Sequence, residues 1–411
     1  MTMKKLKILW ICRTCPFPVN DGEKLRVYNL LRSLARTHEI TVVYREMAAD
    51  ETAGAEHLRQ FCKAVYGVQV PRPSGLIGKL RWVLPFVISR YPISLSTVFF
   101  QPILAVLARL IREEHFDIVQ VEHSSLTIYL DHLQFARRPA AVLTMHNIDY
   151  IRNERVLRNA PWGLSKVYHY LNQRRFKQWE LASLRRYEHV IAMSDLDRNI
   201  LLRDAPGLAV TAVPNGVDAV AVPFVAADPR ARTLIFVASM DSEANHDGAM
   251  FFLREVWPLL QRTDRELVVK MVGRAPRPEL LAAHNGVDVI VTGKVDEVLP
   301  YYRESLAAIV PLRSGGGTRL KIIEALAAGT PVVSTTVGCE GLEVLDGKTI
   351  LIADSPRDFA DAIERILAAP ALVNALSLDG RALVEQRYDW PLIAAVHDRV
   401  YAAAFAARAT T

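Results

Sequence analysis

The sequence is poor in cysteine. Its 411 residues include only four cysteines, which are too few and too scattered for a disulfide framework and are typical of a reducing cytosol. Cys12 and Cys15 form a Cys-x-x-Cys pair, but the sequence has no second such pair or paired histidines to complete a zinc site. We therefore expect neither a metal nor a redox role for this pair.

Long apolar runs and a strong charge of one sign are also absent. No stretch reaches the roughly 18 uninterrupted apolar residues of a membrane-spanning helix. The short run that ends before Arg13 is typical of a first strand, not of a signal peptide. The net charge of +6 is compatible with nucleotides, a membrane surface or nucleic acid. Because no nucleic-acid reader motif or interleaved aromatic platform is present, we expect no nucleic-acid partner. The few scattered cysteines favour a cytoplasmic location.

Predicted strands and helices alternate along the chain, which indicates an α/β fold with parallel sheets wrapped by helices. The length, with 51% hydrophobic residues, is enough for two domains. The predicted strands are 7–12, 40–44, 65–70, 117–121, 141–145 and 189–193, then 234–238, 267–272, 287–291, 306–312, 332–335 and 350–352. Because the turn Pro214-Asn215-Gly216 precedes an Ala/Val/Pro-rich link, we place the domains at 1–218 and 219–387, followed by a C-terminal helix over 388–411.

A glycine-rich turn lies in the second half of the chain. It follows the predicted strand 306–312 and leads into a helix predicted to begin at Thr318. Its residues are Ser314, Gly315, Gly316 and Gly317. Glycines allow backbone amides to approach a phosphate closely, and a helix N-terminus favours the charge of an anion. The stretch therefore predicts an anion site.

Two cations and a carboxylate lie on the same helix. Arg319 and Lys321 oppose the helix dipole at a cost of roughly 0.3–1 kcal/mol each unless an anion lies between them, which favours a bound phosphate. Glu324 shares a helical face with Lys321 and is placed to accept hydrogen bonds from sugar or ribose hydroxyls. The alternative is a plain βαβ unit whose turn binds nothing and whose charges are solvated.

Other candidates lie where strands end, because ligands of open α/β sheets bind at the carboxyl ends of the strands. Gly22 lies in the loop after the first strand, and His146 follows the strand 141–145. Glu122 and His123 end the preceding strand and are weaker candidates, for acceptor contact. For His146 the alternative is a packed or capping side chain.

The segment G-G-G-T-R-L-K-I-I-E-A-L-A-A-G-T-P-V-V-S-T-T-V-G-C-E-G-L resembles the donor-binding signature of glycosyltransferase family 4, retaining enzymes of the GT-B fold. Its first seven residues are similar to those of exopolysaccharide-associated sugar transferases of the PEP-CTERM type. Glu324 matches the second glutamate of the family motif, which is associated with the ribose. Gly316 stands where the first, sugar-binding glutamate is expected. The resemblance implies two Rossmann-like, doubly wound domains that face each other across a cleft.

The same resemblance assigns roles along the chain. It implies that His146, Arg319 and Lys321 are catalytic, through contacts with the donor sugar or its diphosphate. Arg26 joins Gly22 in a first loop that reaches toward the donor. The implied donor-binding set is Gly22, Asp296 in the loop that holds the base, Gly315, Gly316, Gly317, Thr318 and Glu324. The Arg and Lys that the family usually has after the strand 234–238 are missing, so Arg319 and Lys321 are the nearest replacements in type.

Two stretches raise the question of a membrane. Residues 76–110 are apolar and aromatic with interspersed basic residues, which predicts either irregular core helices or a surface in a membrane interface. Residues 152–186 form a basic helical stretch. A solvated surface is the default for such a stretch, and an anionic membrane or a polyanionic acceptor is the alternative.

We therefore expect a retaining glycosyltransferase of the hexosyltransferase type. It would move a sugar from a nucleotide diphosphate sugar to a hydroxyl of a glycan or lipid-linked glycan in exopolysaccharide biosynthesis, with peripheral contact to the inner face of the plasma membrane left open. We expect no metal and no cofactor, because two cations and a helix terminus already meet the phosphates. A GT-B sugar-nucleotide epimerase and a catalytically silent nucleotide-sugar-binding protein of the same fold are the alternatives.

Overall fold

The chain divides into two α/β units in the computed structural model, which describes residues 5–46, 51–70, 75–159, 163–315 and 319–409. The first unit comprises Met1–Pro214 and Ala394–Thr411, and the second comprises Asn215–Ile393. The predicted α/β class with two parallel sheets is confirmed, because every strand pair in both sheets is parallel.

The first unit has a seven-stranded sheet in the order β3-β2-β1-β4-β5-β6-β7. Its strands are β1 (Lys7–Cys12), β2 (Glu39–Glu46), β3 (Ala64–Gln69), β4 (Ile118–Glu122), β5 (Ala140–Met145), β6 (His189–Ala192) and β7 (Val210–Ala212). Its helices are α1 (Gly22–Leu34), α2 (Glu51–Leu58), α3 (Gly75–Ile88), α4 (Gln101–Glu113), α5 (Ile128–His132), α6 (Asp149–Asn159), α7 (Leu164–Leu184) and α8 (Asp195–Asp204), with 3-10 turns at Ile93–Thr97 and Ser124–Thr127. The short strand β7 was not predicted.

The order of these strands reverses between β1 and β4, which makes that position the switch point of a doubly wound sheet. Strands β4 and β5 are buried over their whole length, as expected for a parallel sheet covered on both faces. Their register pairs Glu122 with Thr144, so the loops after β4 and β5 leave the sheet at the same level. The loop after β1 leaves the sheet at the same end, because β1 and β4 are parallel neighbours.

The second unit has a six-stranded sheet in the order β10-β9-β8-β11-β12-β13, with its switch point between β8 and β11. Its strands are β8 (Thr233–Val237), β9 (Val268–Val272), β10 (Val289–Gly293), β11 (Ala307–Val310), β12 (Val332–Ser334) and β13 (Leu351–Ile352). Its helices are α9 (Glu243–Phe251), α10 (Trp257–Thr263), α11 (Pro278–Ala282), α12 (Leu299–Arg303), α13 (Leu320–Ala328), α14 (Pro356–Ala368) and α15 (Pro370–Arg387). A π-helical turn, Phe252–Val256, joins α9 to α10, and the last helix, α16 (Trp390–Ala409), belongs to the first unit from Ala394 onward.

The strand before the glycine turn is shorter than the predicted 306–312. It covers Ala307–Val310, because Pro311 has no amide hydrogen with which to extend the ladder. Helix α13 begins at Leu320 with Arg319 as its N-cap, two residues later than predicted. Gly316, Gly317 and Thr318 lie outside the described residues. At the other end, the predicted glycine stop is confirmed, since Gly329 caps α13 in the left-handed conformation with φ 92°.

The two stretches with a suspected membrane role fold as helices. Residues 76–110 supply α3, a 3-10 turn and α4, and the basic stretch supplies α6 and α7. Within the described ranges, no single helix is both long and apolar enough to cross a membrane. One pair bent by 103°, Pro356–Ala368 with Pro370–Arg387, meets those two criteria together, by length and composition only.

Candidate active site

The carboxyl ends of β4 and β5 carry two histidines that stack on each other in the first unit. The ring centroids of His123 and His146 lie 4.4 Å apart with an interplanar angle of 25°. Each imidazole contacts a carboxylate. His146 Nε2 lies 2.6 Å from Glu122 Oε2, and His123 Nε2 lies 2.8 Å from Glu23 Oε1 in the first turn of α1. The cluster therefore consists of two stacked imidazole–carboxylate pairs.

Burial and neighbouring groups shift the pKa values of His146 and Glu23 in this cluster. It lowers the pKa of His146, and the neighbouring His123 lowers it further, whereas Glu122 opposes the shift. Burial alone would raise the pKa of Glu23, but the contact with His123 lowers it to about 2. At neutral pH His146 is therefore a neutral imidazole. Its Nε2–H donates to Glu122, which makes Nδ1 the acceptor atom of the ring.

A buried hydrogen-bond chain fixes the Glu122 carboxylate. Gln120 Nε2 donates to Glu122 Oε1 at 3.1 Å and to Thr144 Oγ1 at 2.7 Å. Tyr401 of α16 in turn donates to Gln120 Oε1 at 3.1 Å. Gln120, Glu122 and Tyr401 are fully buried. Because each oxygen of the carboxylate has a partner, the orientation of the His146 ring is set by the interior of the unit.

The backbone at His123 is strained, with φ 82° and ψ 138°. Residues other than glycine rarely adopt this conformation, which costs on the order of 1–3 kcal/mol and clusters at functional sites. Gly22 lies near this position, since it opens α1 immediately before Glu23. The structure therefore brings Gly22, Glu122, His123 and His146 to one end of the first sheet.

Arg26 does not lie on a loop that reaches toward a donor. It is fully buried on α1, where it donates to the Pro214 carbonyl at 2.6 Å and contacts His397 Nε2 at 3.3 Å. Burial lowers the pKa of Arg26 to about 10 and lowers the pKa of His397 well below its usual value. Arg26 is an interior anchor, and the expectation that it reaches toward the ligand is corrected.

In the second unit, Lys321 of α13 contacts strand β8 and the first turn of α9. Its Nζ donates to Asn245 Oδ1 at 3.0 Å and lies 4.5 Å from the centroid of the Phe236 ring. Burial lowers the pKa of Lys321 to about 7, the charge of Arg319 acts in the same direction, and Glu324 opposes both. Burial also raises the pKa of Glu324, against the effect of Lys321. Lys321 therefore has a pKa close to neutral pH, and it lies near the carboxyl group of Glu324.

Arg319 and the described end of the glycine turn adjoin this pair. Gly315 has φ 119°, and a Cβ at this position would lie 3.2 Å from Arg319 Nη2 and 3.3 Å from Ala244 Cβ. The structure therefore groups Gly315, Arg319, Lys321 and Glu324 at the switch point between β8 and β11. Asp296 is exposed on the loop after the edge strand β10, and within the described part of the chain the structure shows no contact that joins it to this group.

Two further arginines reach the loop after β8, where the family's usual cations are missing. Arg274 Nε donates to Ser239 Oγ at 2.9 Å, and Arg277 donates to the Asp241 carbonyl at 2.9 Å. Both arginines follow β9, so their proximity to this loop depends on the pairing of β8 with β9. Local sequence patterns do not predict this contact, since it joins residues more than thirty positions apart.

We expect Gly273 to be required for this approach of the two loops. Gly273 has φ 147°, and a Cβ there would lie 1.7 Å from the Ala238 carbonyl oxygen. Gly286 also has a positive φ, 70°, but its nearest neighbouring atom would be 3.9 Å away. Because only the first substitution creates a clash, Gly273→Ala should lower the free energy of unfolding by about 1–3 kcal/mol more than Gly286→Ala. Equal losses in urea denaturation would contradict this account.

The structure also shows where the cysteines lie and whether side chains that could bind a metal are grouped. All four cysteines are buried and none forms a disulfide. Burial raises the pKa of Cys12 well above its usual value, so this thiol stays protonated. Within residues 5–46, 51–70, 75–159, 163–315 and 319–409, no three His, Cys, Asp or Glu side chains are grouped as metal ligands.

Comparisons with known proteins give each unit a match. The Glycosyltransferase Family 4 model matches residues 22–220, and the Glycosyl transferases group 1 model matches residues 231–369. The chain is 20% identical to an uncharacterized 44.6 kDa protein in cps region of Klebsiella pneumoniae, over 93% of this chain and 96% of that one. It is 27% identical to a phosphatidyl-myo-inositol mannosyltransferase of Mycobacterium leprae, over 51% of this chain and 58% of that protein.

Solved structures agree on the fold. The crystal structure of Anabaena Alr3699/HepE in complex with UDP-glucose superposes with a TM-score of 0.66 at 14% identity, covering 97% of this chain and 99% of that one. At this identity the likeness shows the fold alone. Because the family matches cover the two units in turn, the chain belongs to the glycosyltransferases of family 4 and group 1, and it is a sugar-transferring enzyme of the GT-B fold.

Proposed function

We propose that this glycosyltransferase takes its sugar from a nucleoside diphosphate donor and retains the anomeric configuration. The acceptor we propose is a hydroxyl of a glycan or lipid-linked glycan in exopolysaccharide biosynthesis, on the cytoplasmic side of the membrane. The observation that carries the proposal is the Lys321–Asn245 pair, held beside Arg319 and the glycine turn at the switch point of the second sheet.

Relatives support the donor and the pathway. Anabaena Alr3699/HepE, which shares the fold, binds UDP-glucose. A full-length relative is encoded in a cps region, the kind of region that serves capsule polysaccharide synthesis. The name of the mannosyltransferase relative includes phosphatidyl-myo-inositol, and this favours a lipid-linked acceptor for the present chain.

The second unit would stabilise the leaving group. As the bond from the anomeric carbon to the diphosphate oxygen breaks, its electron pair leaves with the diphosphate. Arg319 and a protonated Lys321 are placed to neutralise that charge. A diphosphate beside Lys321 raises its pKa, so donor binding itself would charge this amine. Glu324, one turn further along α13, would accept hydrogen bonds from the ribose hydroxyls.

The first unit would hold the sugar. With Nε2–H donated to Glu122, the neutral His146 presents Nδ1 as an acceptor for a sugar hydroxyl. Glu122 acts through His146, whereas His123 and Glu23 flank it as the second stacked pair. Gly316 occupies the place of the sugar-binding glutamate of the family, so His146 carries a larger share of sugar recognition in this proposal.

A panel of UDP, GDP, ADP and dTDP, each with a matching nucleotide sugar, tests the proposal by thermal shift. A ligand at 100 times its Kd stabilises a folded protein by about 2.7 kcal/mol. We expect one base to stabilise the wild type and the double variant Arg319→Ala with Lys321→Met to lose that response. Sugar transfer to a lipid-linked glycan is then measured with the selected donor. If no nucleotide stabilises the wild type, the proposed donor class is wrong.

We also expect transfer to continue after divalent ions are chelated. The charges of the diphosphate are met by Arg319, Lys321 and the start of α13, so the leaving group has its counter-charges within the chain. Activity in EDTA should stay within about twofold of the untreated enzyme. Loss of activity in EDTA that magnesium or manganese restores would contradict the assignment of both cations to the diphosphate.

A further inference from the structure

The first unit contains an apolar cavity of about 700 Å³ between α3, α4 and α5. Its walls include Trp82 and Phe86 of α3, Phe99 and Phe100 just before α4, and Ile128 of α5. The Trp82 and Phe100 rings lie 5.5 Å apart, so the wall is lined by packed aromatic rings. The cavity opens to the surface of the unit, and its volume lies within the roughly 300–1,000 Å³ of ligand pockets.

One arginine, Arg90, lies at the rim of this cavity. Tyr91 lines the cavity, and the Arg90 guanidinium lies 5.3 Å from the centroid of its ring. Arg90 also lines an adjoining hollow together with Arg175, Arg186 and Asp131, and Asp131 forms an ion pair with Arg186. Arg175 donates to the carbonyls of Phe86 in α3 and of Ser89 and Tyr91 just after it. Arg90 is therefore the cation that adjoins the apolar cavity.

The outer side of α3 is apolar as well. Leu84, Val87 and Ile88 are exposed by 48%, 48% and 81% of their surface. Their spacing of three and four places them on one face of the helix. Exposed apolar side chains beside basic residues are typical of surfaces that insert into the headgroup region of a membrane. A ligand that matches all three features has a hydrocarbon chain and an anionic head.

We propose that this cavity binds one hydrocarbon chain of a lipid whose phosphate head lies at Arg90. Resting on the proposed function, this lipid is the one that carries the acceptor glycan. The outer face of α3 then contacts the membrane from which the chain enters. The cavity is formed within the first unit alone, and the nucleotide cluster lies in the second, so lipid binding and nucleotide binding are measured separately.

The test uses dodecyl phosphate below its micelle concentration, with a terminally brominated analogue that quenches tryptophan fluorescence on contact. We expect the wild type to bind dodecyl phosphate at least about tenfold more tightly than butyl phosphate or inorganic phosphate, because burial of each methylene group adds affinity. The brominated chain should quench Trp82. In Trp82→Phe the quenched component should disappear while calorimetry still detects binding.

Two variants separate the chain from the head. Gln101 is exposed and lines the cavity, so Gln101→Trp should fill it and weaken dodecyl phosphate at least about tenfold. Arg90→Ala should also weaken it, and Arg90→Lys should restore part of the loss. Ile88→Gln, on the outer face, should leave dodecyl phosphate affinity in solution unchanged but reduce binding to vesicles that contain anionic lipid.

Several results would overturn the proposal. They are equal affinity for inorganic and dodecyl phosphate, chain binding without quenching of Trp82, or no alkyl phosphate binding at all. Thermal shift with the selected nucleotide on the same preparation keeps the two proposals distinct. A protein that binds nucleotide but no alkyl phosphate refutes the lipid cavity alone, and the reverse result refutes the donor assignment alone.

Discussion

Replacing His146 by alanine is expected to lower kcat by about 5- to 150-fold, because a sugar hydroxyl that loses its hydrogen-bond acceptor costs about 1–3 kcal/mol. His146 is held by Glu122 at 2.6 Å and stacked on His123, so its orientation is fixed before the substrate arrives. Nucleotide affinity should change little, since the cluster proposed to bind the diphosphate lies in the second unit. The measurement pairs transfer kinetics with calorimetry of nucleotide binding.

His189→Ala is the matched control for this variant. His189 opens β6, contacts Thr211 Oγ1 at 2.8 Å and has a pKa lowered by burial, as His146 does. It lies at the amino end of its strand, away from the two stacked pairs. If His189→Ala lowers kcat as much as His146→Ala, the loss comes from general damage to the unit. A kcat for His146→Ala within a few fold of the wild type would remove His146 from the catalytic groups.

The local sequence pattern was sufficient for the fold and for part of the site. Parallel strands buried on both faces leave long apolar runs, so β4 and β5 were placed within one or two residues. The position of His146 at the end of β5 follows from the same runs. Strand ends differed where a residue cannot extend the ladder, as at Pro311. The very short β7 has only three partly exposed residues, which gives no periodicity to detect.

The contacts of the site residues could not be predicted from local sequence patterns. Glu23 reads as an ordinary acidic residue in the first turn of a helix, and only the meeting of α1 with the loop after β4 makes it a partner of His123. Arg26 was predicted to reach toward the donor, yet a carbonyl 188 positions away accepts its hydrogen bond in the interior. Asn245 lies 76 positions from Lys321. Each contact depends on how the strand order brings distant segments together. Helical periodicity gives no information about that order.

Lys321 shows how such a contact changes the chemistry that was predicted. The helical pattern indicated a polar face open to a ligand, with two ordinary cations. In the structure Asn245 and the ring of Phe236 pack against the amine, and burial lowers its pKa to about 7. In the unfolded chain the amine keeps its ordinary pKa near 10.4. The folded state therefore binds fewer protons between pH 7 and 10, and the contribution of Lys321 to stability rises with pH across that window.

Nucleotide diphosphate binding is expected to show the opposite dependence on pH. A bound diphosphate favours the charged amine. At pH values where Lys321 is neutral in the ligand-free protein, binding is therefore accompanied by the uptake of a proton. For a nucleotide sugar, whose diphosphate has no ionisation near neutral pH, affinity should be constant below about pH 7 and should weaken by up to about tenfold per pH unit above it. Calorimetry at pH 8 in buffers of different ionisation enthalpy should reveal the uptake of this proton directly.

Lys321→Met is expected to weaken nucleotide diphosphate binding and to remove the pH dependence of that affinity. At pH 6 the loss of a charge-assisted hydrogen bond should cost about 1.5–3 kcal/mol, a weakening of about 10- to 150-fold. At pH 9 the gap between variant and wild type should narrow, because the wild-type amine is then neutral before the ligand binds. Lys348→Met removes the same charge from an exposed position in the second unit and should change neither property. If wild-type affinity is flat from pH 6 to pH 9 and Lys321→Met binds equally well, the amine does not contact the diphosphate, and the assignment of Lys321 is wrong.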